Sequence, residues 1–566
     1  MAGAPFTPIG PDDLGLNDLG LNDLGVNDLG LNDVHRNVLH RGEPSANLSG
    51  DDSARVVPSN DALARRTIHN GAVTVAGNLW AAVIGVVTLP VILRGLGAEQ
   101  FGLWVLVLSM SATNGWLSIA DLGIRTATVR AVAAPLAIGD RREAGHQLGA
   151  AASMIVGLAL VVGSVVATLG RNVLPDLFNT PTSLTPAVRA ALMWFALQAG
   201  VELASTMLHA AIEATQRVDR SRALHALRIT CVGVAVAITA TETGSIVAVA
   251  RSAAITTVAV SIVTLVVAWR TLPFRVRVGD RRRVADIVAY GTSVGAINVT
   301  GVLHRTMDRV VVGAMYGPRQ VVLVEIATQI TNGAQTMLGV AHSLTSAAPY
   351  LHARADRDGL QALLVRGTRL TMMASIPALA IAAILAAPIV EVWMGPAFLD
   401  AAGLTAVAVL GTALAVPAQA SSLILQATGH ARTVLRPAAV AVIANLGLSI
   451  LFGRWFGVVG VFVATALTAG GLLWPLVRPA LAVTGVGPAE FVRRGVGPAA
   501  APAIGATLGA SVGLPFSEPR MALAVGVLGA SLGWGIATWR WGLTLSDRAI
   551  LHRARTRASA DVTRPS

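Results

Sequence analysis

Long apolar segments recur from about residue 70 almost to the end of the chain. Each has about 20 residues, the length that an α-helix needs to cross the ~30 Å hydrocarbon core of a bilayer. None shows the alternation over about ten residues that marks a barrel strand, and in lipid only helices and closed barrels satisfy their backbone. The pattern therefore predicts an all-α polytopic membrane protein with about fourteen transmembrane helices. The predicted spans are 70–93, 101–122, 148–169, 187–211, 224–240, 246–269, 289–315, 321–347, 370–393, 402–425, 437–452, 458–477, 496–514 and 521–541.

The order of polar and apolar segments divides the chain into five parts. Residues 1–66 are predicted to be a disordered cytoplasmic tail, in which the unit Leu-Gly-Leu-Asn-Asp repeats, and residues 546–566 a basic cytoplasmic tail. Between the tails we predict a six-helix bundle over 67–283, a second over 284–482, and two additional helices over 483–545. The repeats would form about one coil of a β-helix, fewer than the three or more units that a solenoid needs.

Short motifs recur at equivalent points of the two predicted bundles. Internal repeats of this kind are typical of secondary transporters, whose substrate sites lie between the repeated halves. The sequence therefore predicts two pseudo-symmetric bundles around a central cavity. The matching segments are 96–100 with 316–320, 140–142 with 356–358, and 214–216 with 427–429.

Composition supports the membrane assignment and excludes several enzyme classes. Hydrophobic residues make up 54% of the chain and charged residues only 13%, against about 25% charged in soluble proteins. All 43 basic residues are arginine. Without lysine the chain has no Walker A loop and no Schiff-base chemistry. We therefore expect a transporter, not an enzyme, with no cofactor or metal. Coupling to H+ or Na+ is one possible source of its direction, and consumption of the transported substrate outside is the alternative.

The arginines also predict the topology. With a cytoplasmic amino terminus, only seven of the 43 arginines fall on the outer side of the predicted spans. Basic inner loops are the rule in membrane proteins, so we expect both termini to be cytoplasmic. The net charge of +12 then suits anionic lipid headgroups, and no nucleic acid partner is expected.

Polar residues concentrate in the first two spans of each predicted bundle. Such residues are costly in a membrane unless they face a cavity or a partner, and residues three or four apart share one helix face. We therefore expect these four helices to line a water-filled cavity, although bridging between packed helices is the alternative for any single amide or hydroxyl. The candidate cavity residues are Asn78, Asn114, Asp121, Arg125, Arg305, Asp308, Arg309, Gln329 and Asn332.

The strongest polar cluster lies in the span 289–315. Two arginines occur within five residues, although a central arginine costs at least about 2.5–3.5 kcal/mol. Arg305 and Asp308 are three residues apart and could pair, which would leave Arg309 free. Snorkelling of one arginine to the surface is the alternative. Asp308 and Glu325 are the candidates for coupling to an ion.

Arg125 and Arg130 follow Asp121 into an amphipathic inner stretch. Arginines at the inner mouth of a cavity can bind a phosphate by bidentate, charge-assisted contacts. Ordinary anchoring of basic residues at the inner surface is the alternative.

Several segments resemble one known family. They run from Asn78 through Leu89-Pro90 and 94–104 to 121–123, and continue with Asp308-Arg309, 393–395, 427–429 and 445–460. Over about residues 70–480 the chain is similar to the polysaccharide exporters, or O-antigen (Wzx-type) flippases. These belong to the superfamily of multidrug and toxin extruders and lipid II flippases. The resemblance implies two six-helix bundles, alternating access, and an undecaprenyl-pyrophosphate-linked glycan as substrate, with Asp308 and the region of Arg125 at the cavity or gate.

We therefore expect a flippase that moves a polyprenyl-pyrophosphate-linked oligosaccharide from the inner to the outer leaflet of a bacterial cell membrane. Its expected partners are this lipid-linked oligosaccharide and membrane lipids, with polysaccharide assembly proteins as further candidates. An ion-coupled multidrug antiporter is the first alternative, and it would favour an acidic cavity poor in arginine. A membrane glycan polymerase or glycosyltransferase is a weaker alternative, because such enzymes need a sizeable outer loop and all the predicted outer loops are short.

Overall fold

A computed structural model describes residues 60–543 with the exceptions of 113–114, 122, 336–347 and 355. The side chains of 60–75, 78, 293–294, 297, 349–350 and 353 are also outside the description. The predictions for the repeat-bearing tail and for the basic carboxy-terminal tail therefore concern residues outside the described ranges. By compactness the chain divides into residues 1–63 and residues 64–566, and nearly all of the described residues belong to the second unit.

Within the described ranges every regular element is helical. Residues 272–280, here called the linker, separate a first group of helices, α1–α7, from a second group, α8–α15, and from three further helices. The first group comprises α1 (Asn60–Leu108), α2 (Ile124–Ala137), α3 (Arg141–Val165), α4 (Arg171–Leu177), α5 (Thr185–Ala214), α6 (Val218–Thr243) and α7 (Ile246–Thr271). The later helices are α8 (Arg281–Tyr316), α9 (Pro318–Gln335), α10 (Ala348–Ala353), α11 (Arg357–Ile384), α12 (Ala386–Met394), α13 (Asp400–Ala427), α14 (Ala431–Gly471), α15 (Leu473–Thr484), α16 (Pro488–Glu490), α17 (Ala500–Ser511) and α18 (Pro519–Ala537).

The described residues contain nine helical segments that are long and apolar enough to cross a membrane. The chain is thus a multi-pass helical membrane protein, as predicted. Two of the long helical stretches contain a break where the sequence predicts two spans: α1 has non-helical backbone at Gly97 and α14 at Gly457. The exact count of fourteen spans stays a prediction. The nine segments are Leu79–Leu108, Arg141–Leu177, Thr185–Ala214, Val218–Thr243, Ile246–Thr271, Arg357–Ile384, Asp400–Ala427, Ala431–Thr484 and Pro519–Gly542.

The second predicted span is not the continuous helix that its sequence suggests. Helix α1 ends at Leu108, a 3₁₀ turn occupies Trp116–Asp121, and α2 begins only at Ile124. Gly115 folds back on the preceding turn, where a Cβ would lie 2.3 Å from the carbonyl oxygen of Ser109. Interrupted membrane helices are a feature of transporter sites, since irregular backbone in a membrane must be buried in protein or line a cavity.

Gly123, which precedes α2, is expected to tolerate no side chain. Its φ is +75° and a Cβ would lie 2.6 Å from the carbonyl oxygen of Gly291 in α8. Gly123→Ala should therefore lower the free energy of unfolding by about 1–3 kcal/mol, measured as a lower midpoint of thermal unfolding in detergent. Gly367→Ala is the control, because no neighbouring atom lies within 4 Å of a Cβ there. An equal shift in both variants would contradict this account.

Hydrophobic packing differs between the two ends of the helices. At the end opposite the linker, one cluster joins both groups of helices: it contains Leu106 and Phe195 from the first group and Val312, Val390 and Phe462 from the second. Each of these side chains is buried. The two groups therefore pack against each other at that end.

Near the linker end the apolar residues form separate clusters. One surrounds Leu203 and includes Ile287 of α8. Another contains Leu364 and Leu481, and all of its members belong to the second group or to the residues that come after it. At this end α8 is the described helix of the second group that shares a buried cluster with the first group, whereas the members of the other cluster pack among themselves.

The linker itself is fastened to α3. The backbone N–H of Arg277 donates to the carbonyl oxygen of Gly145 at 3.0 Å, and Nδ1 of His146 lies 2.8 Å from the carbonyl oxygen of Val278. Arg283 of α8 then donates from two nitrogens to the two carboxylate oxygens of Glu143, at 2.9 and 2.7 Å. The first turns of α8 are therefore attached to helices that precede the linker.

Candidate functional site

A polar cavity of about 700 Å³ lies among four helices of the second group. This size is within the range of about 300–1,000 Å³ that is usual for ligand pockets. Its polar lining comes from α8, α9, α13 and α14 and consists of His304, Arg305, Thr306, Asp308, Arg309, Thr328, Thr331, Asn332, Gln335, Thr412, Gln419 and Thr465. The cavity thus contains four of the predicted site residues.

Arg309 is not the free arginine of the cluster. Its Nε donates to a carboxylate oxygen of Glu325 in α9 at 2.7 Å, and each of the two side chains is only 17% exposed. The prediction that Arg305 pairs with Asp308 and leaves Arg309 free is therefore wrong. The partner of Arg309 comes from the neighbouring helix.

Asp308 is held by α14. One of its carboxylate oxygens accepts a hydrogen bond from Oγ1 of Thr465 at 2.8 Å, and that oxygen of Thr465 accepts one from Nδ2 of Asn445 at 2.8 Å. Asn445 is buried. These three side chains tie α8 to both parts of α14, and Asp308 is also one of the residues that line the cavity.

Arg305 is the arginine that remains available. Its side chain is exposed and lines the cavity, and among the described residues no carboxylate lies within ion-pair distance of it. It extends back along α8, since a Cβ on Gly301 would lie 3.2 Å from its Nη1. Helix side chains lean toward the amino terminus of their helix, so Arg305 points away from Asp308, which lies one turn further on.

The helices around the cavity differ in part from those predicted. The sequence indicated the first two spans of each bundle, whereas the described lining comes from α8 and α9 together with α13 and α14. Helices α13 and α14 are mainly apolar, and isolated residues such as Thr412 and Gln419 do not form a polar ridge. Asn114 and the side chain of Asn78 lie outside the described residues.

Gln329 faces the first group of helices and is not part of the cavity lining. A Cβ on Gly85 of α1 would lie 2.4 Å from Nε2 of Gln329. Asn332, one turn further along α9, does line the cavity. The two predicted residues of α9 therefore face different surroundings: Gln329 faces α1, and Asn332 faces the cavity.

Asp121 and Arg125 belong to a separate polar region in the first group. A carboxylate oxygen of Asp121 accepts a hydrogen bond from the backbone N–H of Arg125 at 3.3 Å. The guanidinium group of Arg125 pairs with Glu213 of α5 at 2.5 Å and is 38% exposed. The structure therefore does not bring Arg125 together with Arg305 in one cavity.

A buried network around these residues was not predicted from the sequence. Glu202 of α5 pairs with Arg228 of α6 at 2.8 Å, and the rings of His209 and His225 stand nearly perpendicular with centroids 6.2 Å apart. The available signal was the presence of ionisable residues inside predicted spans 187–211 and 224–240, which the membrane otherwise disfavours.

The chain matches one family model in sequence and several solved transporters in fold. Residues 67–351 match the model of a family described as polysaccharide biosynthesis protein. No curated protein matches the chain in sequence. A lipid II flippase, MurJ, in an inward closed conformation shares 12% identity at a TM-score of 0.62, with 82% of this chain and 97% of that chain covered.

Two further solved structures share the fold. An inward-facing multidrug resistance MATE family transporter of the MOP superfamily has 13% identity and a TM-score of 0.59, covering 74% of this chain and 94% of that chain. A MOP superfamily transporter from Pyrococcus furiosus, for which the reversed polarity of the binding pocket suggests a different function, has 12% identity and a TM-score of 0.54, covering 74% and 95%. The fold is therefore that of the MOP superfamily transporters.

Proposed function

The chain belongs to the polysaccharide biosynthesis protein family, and we propose that it is a flippase for a polyprenyl-pyrophosphate-linked oligosaccharide. It would move this substrate from the inner to the outer leaflet, with the polyprenyl tail remaining in the lipid. This role fits a multi-pass membrane protein with a transporter fold. Its place is the bacterial cell membrane, with both termini cytoplasmic as the arginine distribution predicts.

The observation that carries the proposal is the exposed guanidinium group of Arg305 in a polar cavity. The other charged groups of the cavity are engaged, because Arg309 pairs with Glu325 and Asp308 accepts a hydrogen bond from Thr465. Hydroxyl and amide side chains around Arg305 suit the hydroxyl groups of a glycan, and a guanidinium group binds phosphate or carboxylate oxygens by bidentate contacts.

Alternating access is supported by how the two groups of helices meet. At the end opposite the linker, Nδ2 of Asn179 donates to the carbonyl oxygen of Ala314 at 2.7 Å, and Nε1 of Trp393 donates to that of Val86 at 2.8 Å. Both bonds join the first group to the second, beside the shared hydrophobic cluster. In the predicted orientation, the end opposite the linker is the outer side of the protein, and these contacts close it. The two groups would act as pseudo-symmetric halves that rock against each other.

Coupling to H+ or Na+ is assigned to Asp308, the first of the two candidates. Its carboxylate accepts a hydrogen bond from Thr465, and the residue lines the cavity, so an ion in the cavity would be able to reach it. Glu325 is the second candidate, but its carboxylate is paired with Arg309. The membrane potential, worth about 2.3 kcal/mol per charge per 100 mV, would favour outward movement of an anionic substrate.

The alternative function, a multidrug antiporter for cations, would require an acidic cavity that is poor in arginine. The described lining holds two arginines and one aspartate. That balance favours an anionic substrate. A dye-efflux assay separates the two functions, since a flippase for anionic glycolipids should not increase resistance to cationic dyes.

Deletion of the gene is expected to trap the lipid-linked oligosaccharide on the cytoplasmic side of the membrane. Surface polysaccharide should fall while the lipid-linked precursor accumulates, and the intact gene on a plasmid should restore both. The precursor is measured in lipid extracts and its sidedness by accessibility to a glycosidase in right-side-out vesicles. Normal surface glycan in the deletion strain, together with unchanged precursor, would contradict the proposal.

A further inference from the structure

The linker and the helix ends beside it are rich in exposed arginine. Two arginines lie within the linker, three open α8 at 281–283, and two open α3 at 141–142. Six of these seven are exposed, and none of the six forms an ion pair or a side-chain hydrogen bond with another described residue. The six, here called the linker arginines, are Arg141, Arg142, Arg275, Arg277, Arg281 and Arg282.

The carboxylates of this region do not neutralise the linker arginines. Glu143 and Asp280 both pair with Arg283, the seventh arginine. A carboxylate oxygen of Asp140 accepts a hydrogen bond from the backbone N–H of Glu143 and so caps α3. Residues 138–148 and 269–288 together hold eight arginines and four carboxylates, which is a net charge of +4. The surface at the linker is therefore basic.

Apolar side chains are exposed on the same surface. Val278 of the linker is 91% exposed, Val276 is 54% exposed, and Ile138, in the turn before α3, is 78% exposed. Leu272 and Phe274, at the start of the linker, pack instead on the hydrophobic cluster of the first group. Exposure of large apolar side chains to water is unfavourable, and their mixture with basic residues is typical of segments that lie in a membrane interface.

Backbone contacts place the linker at the depth of the membrane surface. The backbone N–H of Arg277 donates to the carbonyl oxygen of Gly145, and a Cβ on Gly149 would overlap the carbonyl oxygen of Arg277. The predicted span of α3 begins at Leu148, between these two glycines. With a rise of about 1.5 Å per residue, the contacted part of the linker lies within about 5 Å of the predicted end of the span. The headgroup layer of a bilayer has about this thickness on each side.

We propose that the linker arginines, together with Ile138, Val276 and Val278, form a binding site for the headgroups of anionic phospholipids. These residues are here called the linker patch. Guanidinium groups bind phosphate oxygens by bidentate, charge-assisted contacts, and the apolar side chains leave water when they enter the interface. In the proposed orientation the patch meets the inner leaflet, whose negative surface attracts basic segments.

The chemistry of the patch favours a lipid over a soluble anion. A free phosphate would satisfy the guanidinium groups but would leave Val276, Val278 and Ile138 in water. An acidic soluble protein would have to reach a segment that lies at the depth of the headgroups. A phospholipid meets both requirements at once. The site is separate from the cavity around Arg305, and it does not depend on which substrate the cavity transports.

A fluorescent reporter beside the patch measures the binding. Ala285 of α8 is exposed and is not part of the patch, so Ala285→Cys is labelled with bimane in full-length protein that carries Cys231→Ser. The protein in detergent is titrated with dioctanoyl phosphatidylglycerol, and in parallel with dioctanoyl phosphatidylcholine, which has the same chains and no net charge. We expect a saturable blue shift of the emission with the anionic lipid and none with the neutral lipid.

Arginine variants test where the lipid binds. Because one basic residue at an anionic surface contributes about 1 kcal/mol, Arg277→Gln should weaken the titration midpoint about fivefold. A quadruple variant with glutamine at four linker arginines should give no shift over the same range. Its substitutions are Arg275→Gln, Arg277→Gln, Arg281→Gln and Arg282→Gln.

A second quadruple variant is the matched control for net charge. It replaces four exposed arginines that the topology places on the same side of the membrane, and it should keep the midpoint of the unsubstituted protein within about twofold, since the Debye length of about 10 Å screens distant charges. Its substitutions are Arg217→Gln, Arg357→Gln, Arg432→Gln and Arg436→Gln. The midpoint of thermal unfolding shows that each variant is folded.

Four outcomes would overturn the proposal. They are an equal shift with both lipids, no shift with either lipid, an equal loss in the two quadruple variants, and a shift of the same size with inorganic phosphate at the same concentration. The second outcome would leave the patch to a soluble acidic partner, and the last would assign it to free phosphate. The flippase function is judged separately by the accumulation of precursor in the deletion strain.

Discussion

Replacing Arg305 by glutamine is expected to abolish most of the export of surface polysaccharide. Arg305 is the exposed guanidinium group of the cavity and is not neutralised by a carboxylate among the described residues. Loss of its charge-assisted hydrogen bonds to a phosphate or an acidic sugar should cost about 1.5–3 kcal/mol, which corresponds to a roughly 10–100-fold lower rate or affinity. Export is measured in the deletion strain complemented with each variant.

Two variants test whether the effect of Arg305 depends on its place in the cavity. Arg305→Lys keeps the charge without the planar fork of donors, so it should restore export only in part. Arg454→Gln removes an exposed arginine that lies just before the break in α14 at Gly457 and outside the cavity lining, and it should leave export unchanged. Full export by Arg305→Gln at wild-type protein levels would refute the role of the cavity.

Breaking the ion pair between Arg309 and Glu325 is expected to destabilise the protein strongly. Both side chains are largely buried between α8 and α9. Glu325→Gln would leave the charge of Arg309 in a site of low dielectric constant without its carboxylate, at a cost of about 3–5 kcal/mol. The double variant Arg309→Met with Glu325→Met should cost less than either single change, because no charge remains to be compensated.

Thermal unfolding of the two single variants and the double variant in detergent gives the coupling between the two residues. The ion pair of Glu490 with Arg494 serves as a control, since its side chains are 42% and 61% exposed. Glu490→Gln should change stability by less than about 1 kcal/mol. Additive effects of the single changes at 309 and 325 would show that the pair is not coupled in the folded protein.

Local pattern was sufficient to predict the class of fold and the position of the main charged cluster. The length of the apolar segments, the scarcity of charge and the distribution of arginine each follow from the bilayer as solvent, and this requires no knowledge of how the helices pack. The free-energy cost of placing a charged side chain in the membrane likewise does not require knowledge of how the helices pack. The cluster at 304–309 could therefore be recognised as a site before its surroundings were known.

The partners within the cluster could not be predicted in the same way. Spacing along one helix suggested a pair of Arg305 with Asp308, but a helix side chain leans toward the amino terminus, and Arg305 lies against Gly301. Glu325 and Thr465 approach from other helices. Which of them meets Arg309 or Asp308 depends on the rotation and tilt of α9 and α14, which spacing along one helix does not specify.

Composition and hydrophobic pattern specify a helical membrane protein of many spans with charged residues in α8, because hydrophobicity and the free-energy cost of a charge in lipid act residue by residue. Packing of the helices fixes three further features: the second membrane segment is interrupted before α2, the described cavity lies among α8, α9, α13 and α14, and Arg125 pairs with Glu213 of α5. Each of these depends on contacts between residues far apart in the chain. Such contacts form only when the packed helices fix which polar faces meet.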